Sequence, residues 1–198
     1  MDLRWGVVGG NPRTPSQNLQ RQVHVLRLSP YWSAKPKGFH EKVCQNLIEI
    51  HFANVAAAGR GGFGNNGEGQ AFEEVQQQVK TCFIKELGIF GHSHGGGSTY
   101  NLAKLLDEKR NEIGAFTIPY TGYVDAIKEN SVNAEDRFPP SAAYLLNYYQ
   151  KDGFIDGFSV PGADNHDVTP WGLGHGGIDN DARVIKAISD AAKARINP

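Results

Sequence analysis

The chain has 198 residues, of which 39% are hydrophobic and 21% are charged, and its formal net charge is -1. This size and composition predict a single globular domain, spanning residues 1–198, that buries one substantial core. The nearly neutral charge argues against nucleic acid or an anionic membrane surface as a partner, because either partner would attract an excess of basic residues.

The N-terminal stretch MDLRWGVVGGNPRTP has no basic segment followed by a long apolar run, and the chain contains no run of about 18 apolar residues. We therefore expect no membrane span. The sequence as given predicts a cytoplasmic protein, or a secreted one if a signal peptide has been removed. Two cysteines, Cys44 and Cys82, are too few for a disulfide framework, and buried free thiols are favoured over a single bridge.

In the first third of the chain, short apolar runs closed by turn signals predict strands over residues 4–10 and 21–29. Apolar residues at helical spacing predict a helix over 37–48, and a strand is predicted over 49–55. The glycine-rich segment 59–69 is a predicted loop. It lacks the Gly-Lys-Ser/Thr ending of a phosphate-binding loop.

The remaining predicted elements alternate between strands and helices. They are helices over residues 70–82, 98–112, 141–150 and 181–195, and strands over 86–93, 113–125 and 153–160. Asp179 or Asn180 is the predicted cap of the last helix. Such alternation indicates an α/β fold with a mostly parallel sheet and helices on both faces.

Residues 91–95, Gly-His-Ser-His-Gly, fit the G-x-S-x-G pattern of a nucleophile elbow and lie between a predicted strand and a predicted helix. An elbow requires small residues two positions before and after the serine, and Gly91 and Gly95 meet this requirement. The turn would raise Ser93 Oγ above the sheet. It would also direct the helix N-terminus and the His94 backbone N–H at the oxyanion of a reacting carbonyl.

A serine nucleophile also requires a histidine base and an orienting carboxylate, which follow it in the chain. His175, in a glycine-rich loop before the last helix, is the preferred base, and His166 in the same long loop is the alternative. Asp125 ends the first strand after the nucleophile helix, where side chains of a parallel sheet reach a crevice, and is the preferred acid. Asp156 and Asp164 are the alternatives.

The segments IFGHSHGGGSTYNLA, YVDAI, LLNYYQ and GHGGIDNDARV together resemble bacterial α/β-hydrolase fold proteins of lipase or esterase type, over roughly residues 46–192. The resemblance implies a three-layer α/β-hydrolase-like fold, with Ser93 as nucleophile, Asp125 as acid and His175 as base. Proteins of this type need no cofactor. The short helices and small size leave little room for a lid, so we expect a minimal lid or none.

Before Asn46 the chain departs from the family pattern, and its one H-G-G-G run, which starts at His94, belongs to the elbow itself. A second oxyanion donor is therefore expected from Tyr31, or from the Gly10-Asn11 turn, since Pro30 has no N–H. His92, which flanks the serine, and Trp171, in the loop of the base, are the predicted substrate contacts.

Together these residues predict a hydrolase that cleaves a small-molecule or polymeric carboxylic ester through an acyl-enzyme, without a metal or cofactor. Two alternatives come from other classes. A metal-dependent hydrolase would use a cluster of His92, His94, His166, Asp167 and His175. A catalytically inactive, hydrolase-like binding protein would retain the three residues without completing the oxyanion hole.

Overall fold

The computed structural model describes residues 23–28, 50–52, 70–82, 85–128, 131–153 and 155–196. The strands are β1 (Val23–Leu28), β2 (Ile50–Phe52), β3 (Glu86–His92), β4 (Thr117–Val124), β5 (Leu145–Tyr149) and β6 (Asp164–Asp167). The helices are α1 (Gln70–Cys82), α2 (His94–Glu108), α3 (Arg110–Ile113) and α4 (Ala182–Ile196). Short 3-10 turns at Thr169–Trp171 and Ile178–Asn180 precede α4.

The six strands form one sheet in the order β2-β1-β3-β4-β5-β6. The four strands β3, β4, β5 and β6 are parallel, whereas β1 is antiparallel to both of its neighbours. One row of the parallel register aligns His92, Val124, Tyr148 and His166 across the sheet. The residues that follow each of these strands therefore meet at one edge, where the candidate site lies.

Helices cover both faces of the sheet, as predicted. Leu87 and Ile89 of β3 pack in one cluster with apolar residues of α1 and α2. Phe90, whose side chain points to the opposite face, packs with Val184 and Ile188 of α4. The observed architecture is thus an α/β arrangement in which a sheet with four parallel strands lies between α1 and α2 on one side and α4 on the other.

Two predicted elements near the end of the sheet are wrong. Residues 141–150 contain the strand β5, not a helix, and no strand forms among the described residues of 153–160; the last strand, β6, begins at Asp164 instead. All five residues of β5 are buried. A strand buried on both faces lacks the alternation of apolar and polar residues, and its tyrosines and leucines mimic helical spacing.

Other predictions agree with the structure, with shifted ends. The predicted strands over 21–29 and 49–55 contain β1 and β2, and α1 has the predicted bounds. Helix α2 begins four residues before its predicted start, because the helix follows the elbow directly and includes Gly95, Gly96 and Gly97 despite their low helix propensity. The predicted cap of α4 at Asp179 or Asn180 is wrong: both residues lie in the preceding 3-10 turn, and the cap is Asp181, whose Oδ1 accepts a hydrogen bond from Arg183 N.

Several predictions fall on residues outside the described part of the chain. These are the strand over 4–10, the helix over 37–48, the loop over 59–69, Tyr31 and Cys44. The single domain over residues 1–198 stays a prediction. No described helix is long and apolar enough to cross a membrane.

Candidate active site

Ser93 stands alone between β3 and α2, at a sharp turn from strand to helix. Its backbone angles, φ 58° and ψ -130°, lie in a region that non-glycine residues seldom adopt and that costs about 1–3 kcal/mol. Three hydrogen bonds hold the turn: Ser93 N donates to Val124 O (3.0 Å), and Ser93 O accepts from the N–H groups of Gly96 and Ile127 (2.9 Å each). The strained turn is therefore fixed by β4 and by the segment that follows it.

The glycines around Ser93 allow the backbone segments to approach each other closely. A Cβ at Gly91 would overlap the carbonyl group of Gly95, and a Cβ at Gly96 would overlap the side chain of Ala126. This crowding is the physical reason for small residues on both sides of the serine, as the elbow pattern predicts.

The imidazole of His175 lies beside the Ser93 hydroxyl. Its Nε2 is 3.0 Å from Ser93 Oγ, although the two residues are 82 positions apart in the chain. The ring is partly exposed, with 23% of the side chain accessible to solvent. His175 is thus positioned to accept the proton of Ser93 and also to reach a substrate from the open side.

The carboxylate of Asp125 accepts a hydrogen bond from the other nitrogen of the same ring. Its Oδ2 is 2.6 Å from His175 Nδ1, and the Asp125 side chain is fully buried. Because a carboxylate at this distance requires a proton on Nδ1, the neutral ring has a free lone pair on Nε2, which faces Ser93. Ser93, His175 and Asp125 therefore form one continuous chain of hydrogen bonds.

Gln150, which directly follows β5, holds the Asp125 carboxylate from behind. Its Nε2 donates to Asp125 Oδ2 (2.8 Å) and to Ile155 O (2.8 Å). Its backbone N–H also lies 3.3 Å from Asp125 Oδ1. A Cβ at Gly157 would overlap Asp125 Oδ1, so this glycine leaves room for the carboxylate. Sequence reasoning missed Gln150 because the strand before it was predicted as part of a helix.

His94, the first residue of α2, has a backbone N–H without an acceptor inside the helix, as the first N–H groups of any α-helix do. This N–H lies next to Ser93, at the positive end of the helix dipole. The His94 side chain points elsewhere, and its Nε2 donates to Ser131 O (3.0 Å) in the segment after β4. Tyr31, Gly10 and Asn11, the predicted sources of a second donor, lie outside the described residues.

His92 and Trp171, the predicted substrate contacts, have different surroundings. The His92 ring is buried with 6% exposure, and its Nε2 donates to the carbonyl oxygen of His175 (2.9 Å). This placement favours a role in holding the loop of the base over a contact with substrate. Trp171 is 37% exposed, and the guanidinium of Arg183 lies 3.7 Å from the centre of its ring.

The alternative site residues lie apart from Ser93. His166, on β6, stacks on Tyr148 with ring centroids 4.6 Å apart and pairs with Asp164 (3.1 Å). Asp156 is exposed in the segment between β5 and β6. In the part of the chain that the structure describes, no group of three or more histidine, cysteine, aspartate or glutamate side chains is arranged to hold a metal ion.

Comparisons with protein-family models, with curated proteins and with solved structures give no significant match. The function must therefore be inferred from the chemistry of the site.

Proposed function

We propose that this protein is a serine hydrolase of the α/β-hydrolase type that cleaves carboxylic esters through an acyl-enzyme. The hydrogen-bond chain from Ser93 Oγ through His175 to Asp125, with distances of 3.0 and 2.6 Å, is the observation that carries the proposal. Strain at Ser93 adds support, because backbone strain in a folded protein concentrates at functional positions.

In the acylation step, His175 Nε2 takes the hydroxyl proton while Ser93 Oγ forms a bond to the ester carbonyl carbon. The carbonyl electron pair moves to oxygen, and the N–H of His94 stabilises the resulting oxyanion. The tetrahedral intermediate then expels the alcohol, which takes the proton from His175. Asp125 keeps the proton of His175 on Nδ1 throughout and stabilises the cationic ring.

In the deacylation step, a water molecule gives a proton to His175 Nε2 and attacks the acyl carbon. Collapse of the second intermediate releases the acid and returns the proton to Ser93 Oγ. The partial exposure of His175 is compatible with entry of this water. Tyr31 is the proposed second oxyanion donor, and Trp171 is the proposed wall of the substrate pocket.

A minimal lid, or none, is part of the proposal and favours accessible esters over emulsified long-chain ones. Among the described residues, the connections from β4 to β5 and from β5 to β6 contain no helix that could form a cap. Rates with nitrophenyl esters from acetate to palmitate test this point. We expect short chains to be preferred, and a preference for palmitate would contradict it.

Labelling of the full-length folded protein by a fluorophosphonate probe tests the proposed function. We expect an adduct on Ser93 that Ser93→Ala abolishes. Ser98→Ala is a matched control in the same helix, because it removes only a hydroxyl that donates to His94 O (3.1 Å), and it should still be labelled. Folded wild-type protein that is not labelled would contradict the proposal and favour the inactive binding protein. Turnover that survives Ser93→Ala and is lost with a chelator would favour the metal-dependent alternative.

A further inference from the structure

A second histidine–aspartate pair lies directly behind the catalytic base. His92 is the last residue of β3, and its ring centroid is 4.9 Å from that of His175. The His92 Nε2 contact to the His175 carbonyl oxygen measures 2.9 Å. Because a carbonyl oxygen can only accept, Nε2 of His92 must carry a hydrogen.

The other ring nitrogen of His92 faces a carboxyl group. Nδ1 is 3.5 Å from Asp179 Oδ2, and the two side chains are 6% and 2% exposed. Asp179 lies in the 3-10 turn that follows His175, and its Oδ1 accepts a hydrogen bond from Asn180 Nδ2 (2.9 Å). The pair thus joins the strand that leads to the nucleophile with the loop that contains the base.

This arrangement has a consequence for protonation. With a hydrogen on Nε2, a neutral His92 ring presents a lone pair on Nδ1, and an ionised Asp179 would face it with another acceptor. With Nε2 already carrying a hydrogen, this 3.5 Å contact avoids repulsion only when a second proton lies on Nδ1 or on the carboxyl group. The burial that raises the pKa of Asp179 from its ordinary 3.8 to about 6 agrees with this.

We propose that His92 and Asp179, while they share a proton, hold the loop of His175 in its working position, so that His92 is a positioning residue. The inference rests on the proposed function, which makes His175 the base. When the pair loses its proton, the tautomer of His92 with hydrogen on Nδ1 can donate to Asp179. Nε2 then has no hydrogen for the His175 carbonyl, and the loop loses this contact.

Other charged groups around the pair affect the same proton. His175 faces Asp179, and a positive charge on its ring would lower the pKa of that carboxyl group. Asp125 affects the protonation of His92 and Asp179 indirectly, through its hydrogen bond to His175. In the described part of the chain, the helix packed on this side contributes apolar Val184 and Ile188, and the charges before and within its first turn, Asp181 and Arg183, pair with each other (2.7 Å).

Two substitutions of His92 separate its donor to the loop from its bulk. In His92→Gln the amide nitrogen can replace Nε2 and still donate to the His175 carbonyl, whereas the shorter amide of His92→Asn reaches only the position of Nδ1. We expect fluorophosphonate labelling of Ser93 to slow about tenfold in His92→Asn, and to stay within about threefold of wild type in His92→Gln. Equal rates in wild type and His92→Asn would overturn the inference.

Asp179→Asn tests the shared proton and leaves His92 in place. The asparagine can accept from Asn180 through Oδ1 and donate to His92 Nδ1 through Nδ2, so that the tautomer with hydrogen on Nε2 is favoured at every pH. We therefore expect the ratio of labelling rates, Asp179→Asn over wild type, to increase as the pH rises from 5 to 8. A constant ratio would overturn the inference, whether or not His92→Asn folds.

Hydrogen exchange distinguishes this inference from the proposed function. The N–H groups of Gly177 and Ile178 donate to Gly174 O (3.2 Å each) and report on the loop. If wild type is not labelled, the proposed function fails. The exchange rates of these amides in the full-length protein at pH 5 then still test whether the His92 contact to the His175 carbonyl holds the loop. Faster exchange in His92→Asn than in His92→Gln and wild type supports the contact. Equal exchange overturns it.

Discussion

The rings of His175 and His92 lie side by side, and each faces an aspartate, yet the two pairs differ in geometry. Asp125 is 2.6 Å from its histidine, while Asp179 is 3.5 Å from its own. Nε2 of His175 faces a serine hydroxyl, whereas Nε2 of His92 donates to a backbone carbonyl. Asp125 has additional donors from Gln150, and Asp179 has one from its neighbour Asn180.

The same two types of side chain therefore form pairs with different surroundings. Asp125 accepts hydrogen bonds from Gln150 and from the His175 ring, and its contact with Nδ1 fixes one tautomer of His175. Asp179 is buried with fewer donors, and its pKa is raised to about 6. Under the proposals above, Asp125 keeps His175 oriented as the base, and Asp179 shares a proton with His92.

The largest expected effect distinguishes the two aspartates directly. Asp125→Asn should reduce the rate of Ser93 labelling about 10⁴-fold, because an amide no longer fixes the Nδ1–H tautomer or stabilises the charged ring. Asp179→Asn should change the rate at pH 6 by less than about threefold, since its amide can replace the shared proton. Labelling kinetics of both variants check this prediction. Similar decreases in the labelling rate would contradict different roles for the two aspartates.

A substitution of Gln150 tests how much its hydrogen bonds to Asp125 contribute to the pair of Asp125 and His175. Gln150→Met removes the side-chain donor to Asp125 and Ile155 at similar volume and leaves the backbone N–H contact to Asp125 in place. We expect labelling to slow about tenfold and the free energy of unfolding to fall by about 1–3 kcal/mol. Thr169→Val is the control, because it removes an acceptor for Lys151 N (2.9 Å) in the same region without touching Asp125. A slowing of labelling in both variants would indicate a general disturbance of the segment after β5.

A smaller effect is expected from crowding the first pair. In Gly157→Ala the new methyl group would overlap Asp125 Oδ1 and Tyr149 Cβ, which we expect to lower the free energy of unfolding by about 1–3 kcal/mol and to slow labelling several-fold. Gly176→Ala, next to His175, would place its methyl group in open space and should be nearly neutral. Urea unfolding of the two variants measures the contrast, and equal stabilities would contradict the packing described for Asp125.

The smallest expected effect concerns the pH dependence of stability. Because the pKa of Asp179 is raised in the folded protein, its protonated form stabilises the fold fully below pH 3.8, and this contribution is lost as the pH rises through about 6. The free energy of unfolding of Asp179→Asn relative to wild type should therefore increase between pH 4 and pH 7. Urea unfolding at several pH values measures it, and a difference independent of pH would show that the pKa of Asp179 is not raised in the folded protein.

Much of the site could be predicted because its signals are local. The elbow pattern and the glycines around Ser93 come from adjacent positions, and the order of serine, aspartate and histidine follows from the ends of successive elements. Helix α1 and strands β3 and β4 also have clear apolar patterns. These features depend on backbone sterics and on the periodicity of side chains, which short segments already contain.

Gln150 and Asp179 could not be predicted in their roles, because each depends on a partner far away in the chain. Gln150 bonds to a carboxylate 25 residues earlier, and its strand was interpreted as a helix since burial on both faces removes the alternating pattern. The sequence predicts Asp179 or Asn180 as a helix cap, a local role that Asp181 fills instead. The observed neighbour of Asp179, His92, lies on a strand in the middle of the chain.

The sequence by itself determined the turn at Ser93, the α/β class and the chemical types available for the site, since these depend on local sterics and spacing. Only the tertiary structure decided which histidine meets Ser93, which carboxylate meets that histidine, and what supports each of them. The reason is physical: the contact from Ser93 to His175 spans 82 positions and that from His92 to His175 spans 83. Such contacts form only when the parallel strands bring their carboxyl ends to one edge.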